Sequence, residues 1–174
     1  MFVVKIKIKD KLSGKTSALC VFVLEGSEKI HGLEGDDATG ARIGQSVMDM
    51  QGKFGSVAVI PTPEKPYERI LLAGLGKKEK LDGDSIRFVS GKVAQKARGL
   101  KLREFSIVAP SDSVADAGLT VSQIVEGCKM SLYRFEKFKS KKENKVPDLT
   151  ILVSKSEKVT RAIREAEIVS EATI

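Results

Sequence analysis

Hydrophobic and polar positions divide the chain into short apolar runs separated by amphipathic stretches. Near the amino terminus Val4, Ile6 and Ile8 alternate with lysines, and this period of two predicts a strand with one wet face, near a sheet edge. Residues 18–24 are continuously apolar, which is typical of a central strand that is covered on both faces. Shorter apolar runs predict further strands at residues 56–60, 69–73, 104–109 and 149–153.

Amphipathic stretches between these runs predict helices, because hydrophobic residues recur in them every three or four positions. The first helix is expected over residues 38–50, where Asp37 is the cap and Ile43, Val47 and Met48 face inward. The clearest helix follows the capping oxygens of residues 82–85. Its inward stripe consists of Ile86, Val89, Val93, Ala97 and Leu100.

Two capping boxes predict where the last two helices begin. Thr120 with Gln123, and Ser154 with Glu157, fit this pattern, in which two side chains satisfy unpaired backbone donors. The expected inward stripes are Val121, Ile124, Val125 and Cys128, then Val159, Ala162, Ile163, Ala166 and Val169. The last stripe continues to residue 174 without a glycine, proline or basic cap. We therefore expect a piece of a longer protein, cut at a domain boundary.

Strands and helices thus alternate in the order β-β-α-β-β-α-β-α-β-α, which predicts an α/β fold. Such alternation favours a three-layer α/β/α arrangement around a mostly parallel sheet. The two pairs of consecutive strands indicate an antiparallel edge, so the central sheet is expected to be mixed. The sequence shows no internal repeat and no clear linker, and residues 1–174 are expected to form a single domain.

The chain is basic, with a net charge of +7 over 174 residues. Its lysines are interspersed with acidic residues, and the dense run at residues 136–145 is typical of a solvated loop. Aromatic residues make up 5% of the chain and tryptophan is absent, so we expect no nucleic-acid partner. No apolar run approaches the ~20 residues of a membrane span, and no signal-peptide core follows Met1. A soluble, cytoplasmic protein is expected.

A glycine-rich segment at residues 74–78, Gly-Leu-Gly-Lys-Lys, invites comparison with phosphate-binding loops. The Walker pattern fails because Lys77 is followed by Lys78, and the dinucleotide pattern fails because Glu79 stands where glycine is needed. We expect a structural turn with glycines at positive φ. Some anion affinity of free backbone amides remains open.

Candidate ligands and nucleophiles are few. His31 is the only histidine, which argues against a zinc site, while Glu34, Asp36 and Asp37 leave a magnesium or calcium site open. Asp82 and Asp84 are expected to cap a helix rather than act as paired carboxylates.

Nucleophilic side chains are also without a catalytic context. Cys20 and Cys128 are expected to be buried reduced thiols, although counting alone leaves a disulfide open. Ser13, Ser17, Ser46 and Ser111 lack a Gly-x-Ser-x-Gly context. The sequence therefore predicts no catalytic, cofactor-binding or metal-binding residue in this chain.

An ordered set of short motifs resembles one enzyme family. Residues 69–77, Arg-Ile-Leu-Leu-Ala-Gly-Leu-Gly-Lys, resemble a strand and turn of the amino-terminal domain of the leucine aminopeptidase (cytosol aminopeptidase) family. The Gly-Lys-Phe-Gly segment at 52–55 resembles a turn of that domain. Glu-Gly at 126–127, with Tyr-Arg-Phe at 133–135 and Phe-Lys at 138–139, is similar to its Glu-Gly…Tyr-x-Phe-x-x-Tyr/Phe-Lys segment. The resemblance covers essentially the whole chain.

The resemblance implies a noncatalytic, macro-domain-like domain that packs on a larger carboxy-terminal catalytic domain. In the family that second domain carries two divalent metals (zinc, manganese or magnesium) and an Asn-Thr-Asp-Ala-Glu-Gly-Arg motif, which this chain lacks. The parent enzymes are hexamers that remove amino-terminal residues, often leucine, from peptides. The domain is expected to support assembly and access to the active site.

Two other functions stay open as alternatives. A macro-domain-like module could bind ADP-ribose or another nucleotide, with phosphates cradled at residues 74–76 or 32–40. A basic RNA-binding domain is the third hypothesis, and an affinity for oligonucleotides that falls steeply with salt concentration would identify it.

Overall fold

A computed structural model describes residues 4–27, 30, 37–62, 66–110, 116–133 and 147–173. The strands are β1 (Ile6–Lys9), β2 (Leu19–Leu24), β3 (Val57–Pro61), β4 (Arg69–Gly76), β5 (Glu104–Val108) and β6 (Asp148–Leu152). The helices are α1 (Asp37–Met50), α2 (Gly83–Gly99), α3 (Ala117–Leu132) and α4 (Glu157–Thr173). The predicted succession of elements is confirmed.

The six strands of the described residues form one mixed sheet in the order β1-β6-β5-β2-β4-β3. All neighbouring strands are parallel except β3 and β4, which are antiparallel. The predicted antiparallel edge is therefore present, but only one of the two consecutive strand pairs forms it. β1 instead runs parallel to β6 at the opposite edge. The α/β class and the mixed, mostly parallel sheet are confirmed.

Both faces of the sheet are covered by helices, which gives three layers. In β2, where all six residues are buried, the side chains alternate between two hydrophobic clusters, as the two-residue period requires. Cys20, Phe22 and Leu24 join the larger cluster, to which α2, α3 and α4 contribute. Leu19, Val21 and Val23 join the smaller one, to which α1 contributes Ile43 and Val47.

The helix caps differ from the predicted capping boxes. Asp116, not Thr120, caps α3 and accepts a hydrogen bond from the Leu119 amide at 3.0 Å. α3 begins at Ala117, so Thr120 lies inside the helix rather than at its start, and it is fully buried. Ser156 caps α4 by accepting from the Val159 amide at 3.2 Å, two residues later than predicted. Each box pattern fell on residues close to the true cap.

Two predicted inward residues are exposed instead. Met48 is 63% exposed and Val169 is 51% exposed, because their neighbours Val47 and Ser170 point into the core and a helix turns about 100° per residue. The first helix also begins at Asp37 itself rather than after it.

The bounds of β3 also differ from the prediction. Pro61 was predicted to follow the strand, but it is the last residue of the strand and pairs with Arg69. This position is tolerated because β3 is an edge strand, where the missing N–H of proline leaves no neighbour unpaired.

Candidate functional site

The glycine-rich segment continues a strand rather than forming the predicted turn. β4 runs through Gly76, and Leu75 within it is buried; the chain turns later, in a short 3-10 helix at Lys78–Lys80. A Cβ at Gly74 would overlap the carbonyl oxygen of Lys53. The glycine is required by this close approach of the 52–55 turn. Of the two glycines only Gly76, at φ +77°, has the expected positive φ.

The backbone N–H groups of Gly74 and Gly76 already donate hydrogen bonds within the domain. The Gly74 amide donates to the Ser56 carbonyl at 2.9 Å, and the Gly76 amide donates to the Gly52 carbonyl at 3.0 Å. A phosphate cradle needs free amides that point at the ligand. The structure therefore does not favour a nucleotide site at residues 74–76, and most of the other proposed cradle, residues 31–36, lies outside the described residues.

The 52–55 turn instead presents an aromatic side chain to the surface. Phe54 lies over Gly76, where an added Cβ would come within 3.0 Å of the Phe54 Cβ. Its ring stacks on Phe88 of α2 with centroids 5.3 Å apart and planes at 20°. Lys92, one turn further along α2, places its Nζ 5.4 Å from the Phe88 centroid. This arrangement is a cation–π contact on an exposed aromatic pair.

A groove of about 520 Å³ opens beside this pair, between α2 and α3. Phe88 and Met130 form its apolar walls, and Gly91 and Gly127, which lie at the close contact between the two helices, also line it. The remaining lining residues are polar: Asp84, Arg87, Lys92, Gln95 and Ser131. We call this feature, together with Phe54, the α2–α3 groove.

The acidic side chains around the helices serve structural contacts. Asp82 caps α2: the Ser85 hydroxyl and amide donate to it at 2.6 and 2.7 Å, and these bonds lower the pKa of Asp82. Arg87 pairs with Asp84 at 2.5 Å and with Glu126 of α3 at 3.3 Å. The predicted capping role of Asp82 is confirmed, whereas Asp84 is held in an ion pair.

Two further ion pairs attach α4 to α3. Lys158 donates to Asp116, and this bond, followed by that from the Leu119 amide, lowers the pKa of Asp116. Lys129, only 6% exposed, pairs with Glu171 at 3.0 Å. Within the described part of the chain, no group of three or more His, Cys, Asp or Glu side chains converges as a metal site would require.

Both cysteines are buried free thiols, as predicted, and no disulfide joins them. Burial raises the pKa of Cys20 and of Cys128, and the nearby Cys128 adds to the effect on Cys20. The Cys128 thiol donates to the Ser90 carbonyl at 3.5 Å. Thiolate chemistry is suppressed at both positions, because the thiolate is the reactive form.

Several predicted candidates lie outside the described residues: His31, Glu34, Asp36, Ser111 and the lysine-rich run at 136–145. Sequence reasoning missed the α2–α3 groove. One sequence feature could have indicated this groove: Phe88 is an aromatic residue on the polar side of the clearest amphipathic helix, between Arg87 and Lys92. Its partner Phe54 is distant in sequence, so only the fold brings the two rings together.

A sequence model of the cytosol aminopeptidase family, N-terminal domain, matches residues 20–142. The chain belongs to the cytosol aminopeptidase family. A protein named "Probable cytosol aminopeptidase" from Cenarchaeum symbiosum is 38% identical over 164 residues, which are 92% of this chain and 32% of that protein. A protein of the same name from Aquifex aeolicus is 30% identical, with 93% and 32% covered. The chain thus spans about a third of these relatives.

Solved structures of other proteins share the fold. A mutant of tomato leucine aminopeptidase matches with a TM-score of 0.73 and 18% identity, over 98% of this chain and 36% of that chain. The bottromycin maturation enzyme BotP matches with a TM-score of 0.67 and 18% identity, over 91% of this chain and 31% of that chain. The resemblance seen in the sequence motifs is confirmed.

No described helix combines the length and apolar character needed to cross a membrane.

Proposed function

We propose that this chain is the noncatalytic amino-terminal domain of a metal-dependent leucyl aminopeptidase. Its role there is to support assembly and to shape access to an active site carried by the rest of the protein. The chain forms one domain of a cytoplasmic enzyme that removes amino-terminal residues from peptides and assembles as a hexamer. The match to the amino-terminal domain of the family, over residues 20–142, supports this assignment.

The proposal rests on the structural contacts that the described carboxylates make. Dinuclear hydrolases hold two cations about 3.5–4 Å apart with several converging ligands. In this chain Asp82 and Asp116 cap helices, and Glu126 and Glu171 join neighbouring helices through ion pairs. These groups point to different places along the helical layer, so they do not fit a dinuclear centre.

In this proposal the metals are held by the remaining two thirds of the parent protein. One similar solved structure is described as BotP in complex with Mn, which supports divalent-metal chemistry in the family. In the proposed parent, two such ions would activate water and stabilise the tetrahedral intermediate. This chain's own contribution is structural.

The carboxyl-terminal half of α4 supplies a surface for the rest of the parent. Ile168 is 67% exposed and Val169 is 51% exposed, next to each other in the last turns of α4. Their neighbours on the inner side, Ala166 and Ser170, are buried against this domain. An exposed aliphatic pair of this kind favours packing against a further protein surface.

Activity measurements on two proteins test the proposal. The 174-residue chain is assayed alone on leucyl p-nitroanilide with Mn²⁺, Zn²⁺ or Mg²⁺, and we expect no turnover above the metal blank. A second protein joins the chain to the carboxy-terminal part of the Cenarchaeum symbiosum relative, in place of the matching segment, and we expect metal-dependent activity. The same carboxy-terminal part without an amino-terminal domain is the control, and we expect it to be less active or poorly assembled.

Metal-dependent turnover by the chain alone would overturn the noncatalytic assignment. A control that assembles and works as well as the joined protein would overturn the supporting role while leaving the family membership intact. Sedimentation velocity on the same samples reports the assembly.

A further inference from the structure

Exposed apolar side chains cluster at the α2–α3 groove. Phe54, Phe88 and Met130 are 52%, 49% and 42% exposed; Phe88 and Met130 line the groove, and Phe54 stacks on Phe88. Single exposed apolar residues are ordinary on protein surfaces, whereas contiguous patches with a polar rim mark interaction sites. The polar lining residues Arg87, Lys92, Gln95 and Ser131 supply such a rim.

The shape of the groove is fixed by the contact between the two helices. Gly127 lies against the Arg87 carbonyl and Gly91 against the Ser131 hydroxyl, so closely that a Cβ on either glycine would overlap its neighbour. The helices are buried against each other below this point, and the groove above it is preformed. Its volume of about 520 Å³ lies within the range of about 300–1,000 Å³ that ligand sites occupy.

The excess positive charge near the groove lies at its Phe54 end. Asp84 and Glu126 both pair with Arg87, so these three groups carry one negative charge, which Lys92 balances. Lys92 has no carboxylate partner among the described residues and contacts the Phe88 ring. Lys53 and Lys77 are exposed and flank Phe54 and Gly76, which pack on each other. A partner that complements this surface carries carboxylates beside an apolar group.

We propose that the α2–α3 groove docks an acidic protein segment through one apolar anchor side chain. The anchor enters between Phe88 and Met130, above the glycine contact, and flanking carboxylates pair with Lys92 and with the lysines beside Phe54. This binding function is additional to the supporting role proposed above and does not depend on it.

A peptide fits the groove better than a nucleic acid does. Single-stranded nucleic acids bind through bases stacked on free aromatic faces, but the Phe88 ring already has Phe54 stacked on it and Lys92 placed over it. An oligonucleotide is therefore the competing occupant that the experiment must distinguish.

Titration of the labelled chain by NMR tests the proposal. The probe is the synthetic peptide Glu-Asp-Glu-Leu-Glu-Asp-Glu; the controls are the same peptide with Gly for Leu, one with Lys for every acid, and a dT oligonucleotide. We expect submillimolar binding of the probe with shifts at Phe88, Lys92 and the Met130 methyl group. The Gly analogue should bind about tenfold more weakly, as loss of an anchor predicts, and the basic peptide should not bind.

Matched variants separate this site from general attraction to a basic protein. Phe88→Ser and Lys92→Glu change exposed side chains and should each weaken the probe by about tenfold or more, with unfolding midpoints near that of the parent chain. Lys155→Glu, at an exposed lysine before α4, makes the same charge change elsewhere and should retain binding. The proposal is overturned by absence of shifts at the groove with about 1 mM probe, by equal weakening in Lys155→Glu, or by tighter oligonucleotide binding at the same residues.

Discussion

At the residue scale, glycines decide how closely parts of this domain approach one another. Gly127 brings the α3 backbone against the Arg87 carbonyl of α2, and Gly74 does the same for the 52–55 turn and β4. Neither residue has a positive φ, so the requirement is steric rather than conformational. A side chain at either position would force backbone segments apart, because backbone cannot yield as a flexible side chain can.

Gly127→Ala should therefore be strongly destabilising. The added methyl group overlaps a main-chain oxygen in a packed helix contact, and we expect a loss of about 3 kcal/mol or more in the free energy of unfolding. Gly44→Ala in α1 is the matched control, since an added Cβ there meets nothing within 4 Å; it should stabilise by about 0.5–1 kcal/mol through helix propensity. Urea unfolding followed by circular dichroism measures both, and similar values for the two variants would contradict the close helix contact.

The lowered pKa of Asp116 predicts a pH-dependent contribution to stability. Hydrogen bonds from Lys158 and the Leu119 amide favour the folded carboxylate, so the unfolded chain binds a proton at higher pH than the folded chain does. The contribution is complete above the unfolded pKa of about 3.9 and is lost as the pH falls through the lower folded value. Asp116→Asn should be less stable than the parent chain at pH 7 and converge with it at the acid end. A constant difference between pH 7 and pH 2 would exclude this linkage.

At the element scale, the strands and helices were predictable because their hydrophobic periods are local properties. The alternating Val4, Ile6 and Ile8 correctly indicated an edge strand, and the continuous run at 18–24 correctly indicated a central one. The sequence predicted that β4 ends before Gly74, but the strand continues to Gly76. This was not predictable, because Gly74 is required by the close approach of Lys53, which is distant in sequence. The α2–α3 groove was missed for the same reason: Phe54 and Phe88 meet only through tertiary packing.

The attachment of α4 to α3 depends on a buried ammonium group. Lys129 is only 6% exposed, while its partner Glu171 is 62% exposed. Glu171→Gln removes the compensating charge and should destabilise by about 1–3 kcal/mol, as expected for a buried charged donor whose partner is lost. Lys129→Met removes the charge itself and keeps the aliphatic length, so it should cost less or even stabilise.

Thermal unfolding of these variants measures the order of the effects. Glu165→Gln, at an exposed position of the same helix, is the control and should change the free energy of unfolding by less than about 0.5 kcal/mol. A larger loss for Lys129→Met than for Glu171→Gln would mean that the ion pair itself, rather than the avoidance of an unpaired buried charge, stabilises this contact.

At the scale of the whole molecule, the three layers enclose most apolar side chains of the described residues, and the exposed ones include two separate apolar surfaces. One is the α2–α3 groove, which has cationic residues at its rim. The other is the end of α4, where Ile168 and Val169 are exposed and the last turn has no basic residue. Because the two surfaces differ in charge, we propose different neighbours for them: an acidic segment at the groove, and the remainder of the proposed parent at α4.

Ile168→Ser tests the second surface, because its effect should depend on whether a carboxy-terminal part is attached to the chain. In the chain alone Ile168 is 67% exposed, so the substitution should change the free energy of unfolding by less than about 0.5 kcal/mol. In the protein joined to the Cenarchaeum symbiosum carboxy-terminal part, we expect the side chain to be buried, and serine there should cost about 1.5–3 kcal/mol of packing. Differential scanning calorimetry and limited proteolysis on both proteins measure the difference.

Leu119→Ser is the control for this comparison, since Leu119 is 47% exposed at the start of α3, away from the end of α4. This substitution should change the free energy of unfolding by the same amount in the chain and in the joined protein. If Ile168→Ser also behaves alike in both, the end of α4 is an ordinary solvated surface, and the two parts of the parent must pack through another face. A loss confined to the joined protein, with earlier cleavage between its two parts, would place the domain contact on α4, because only burial on joining makes an exposed isoleucine matter.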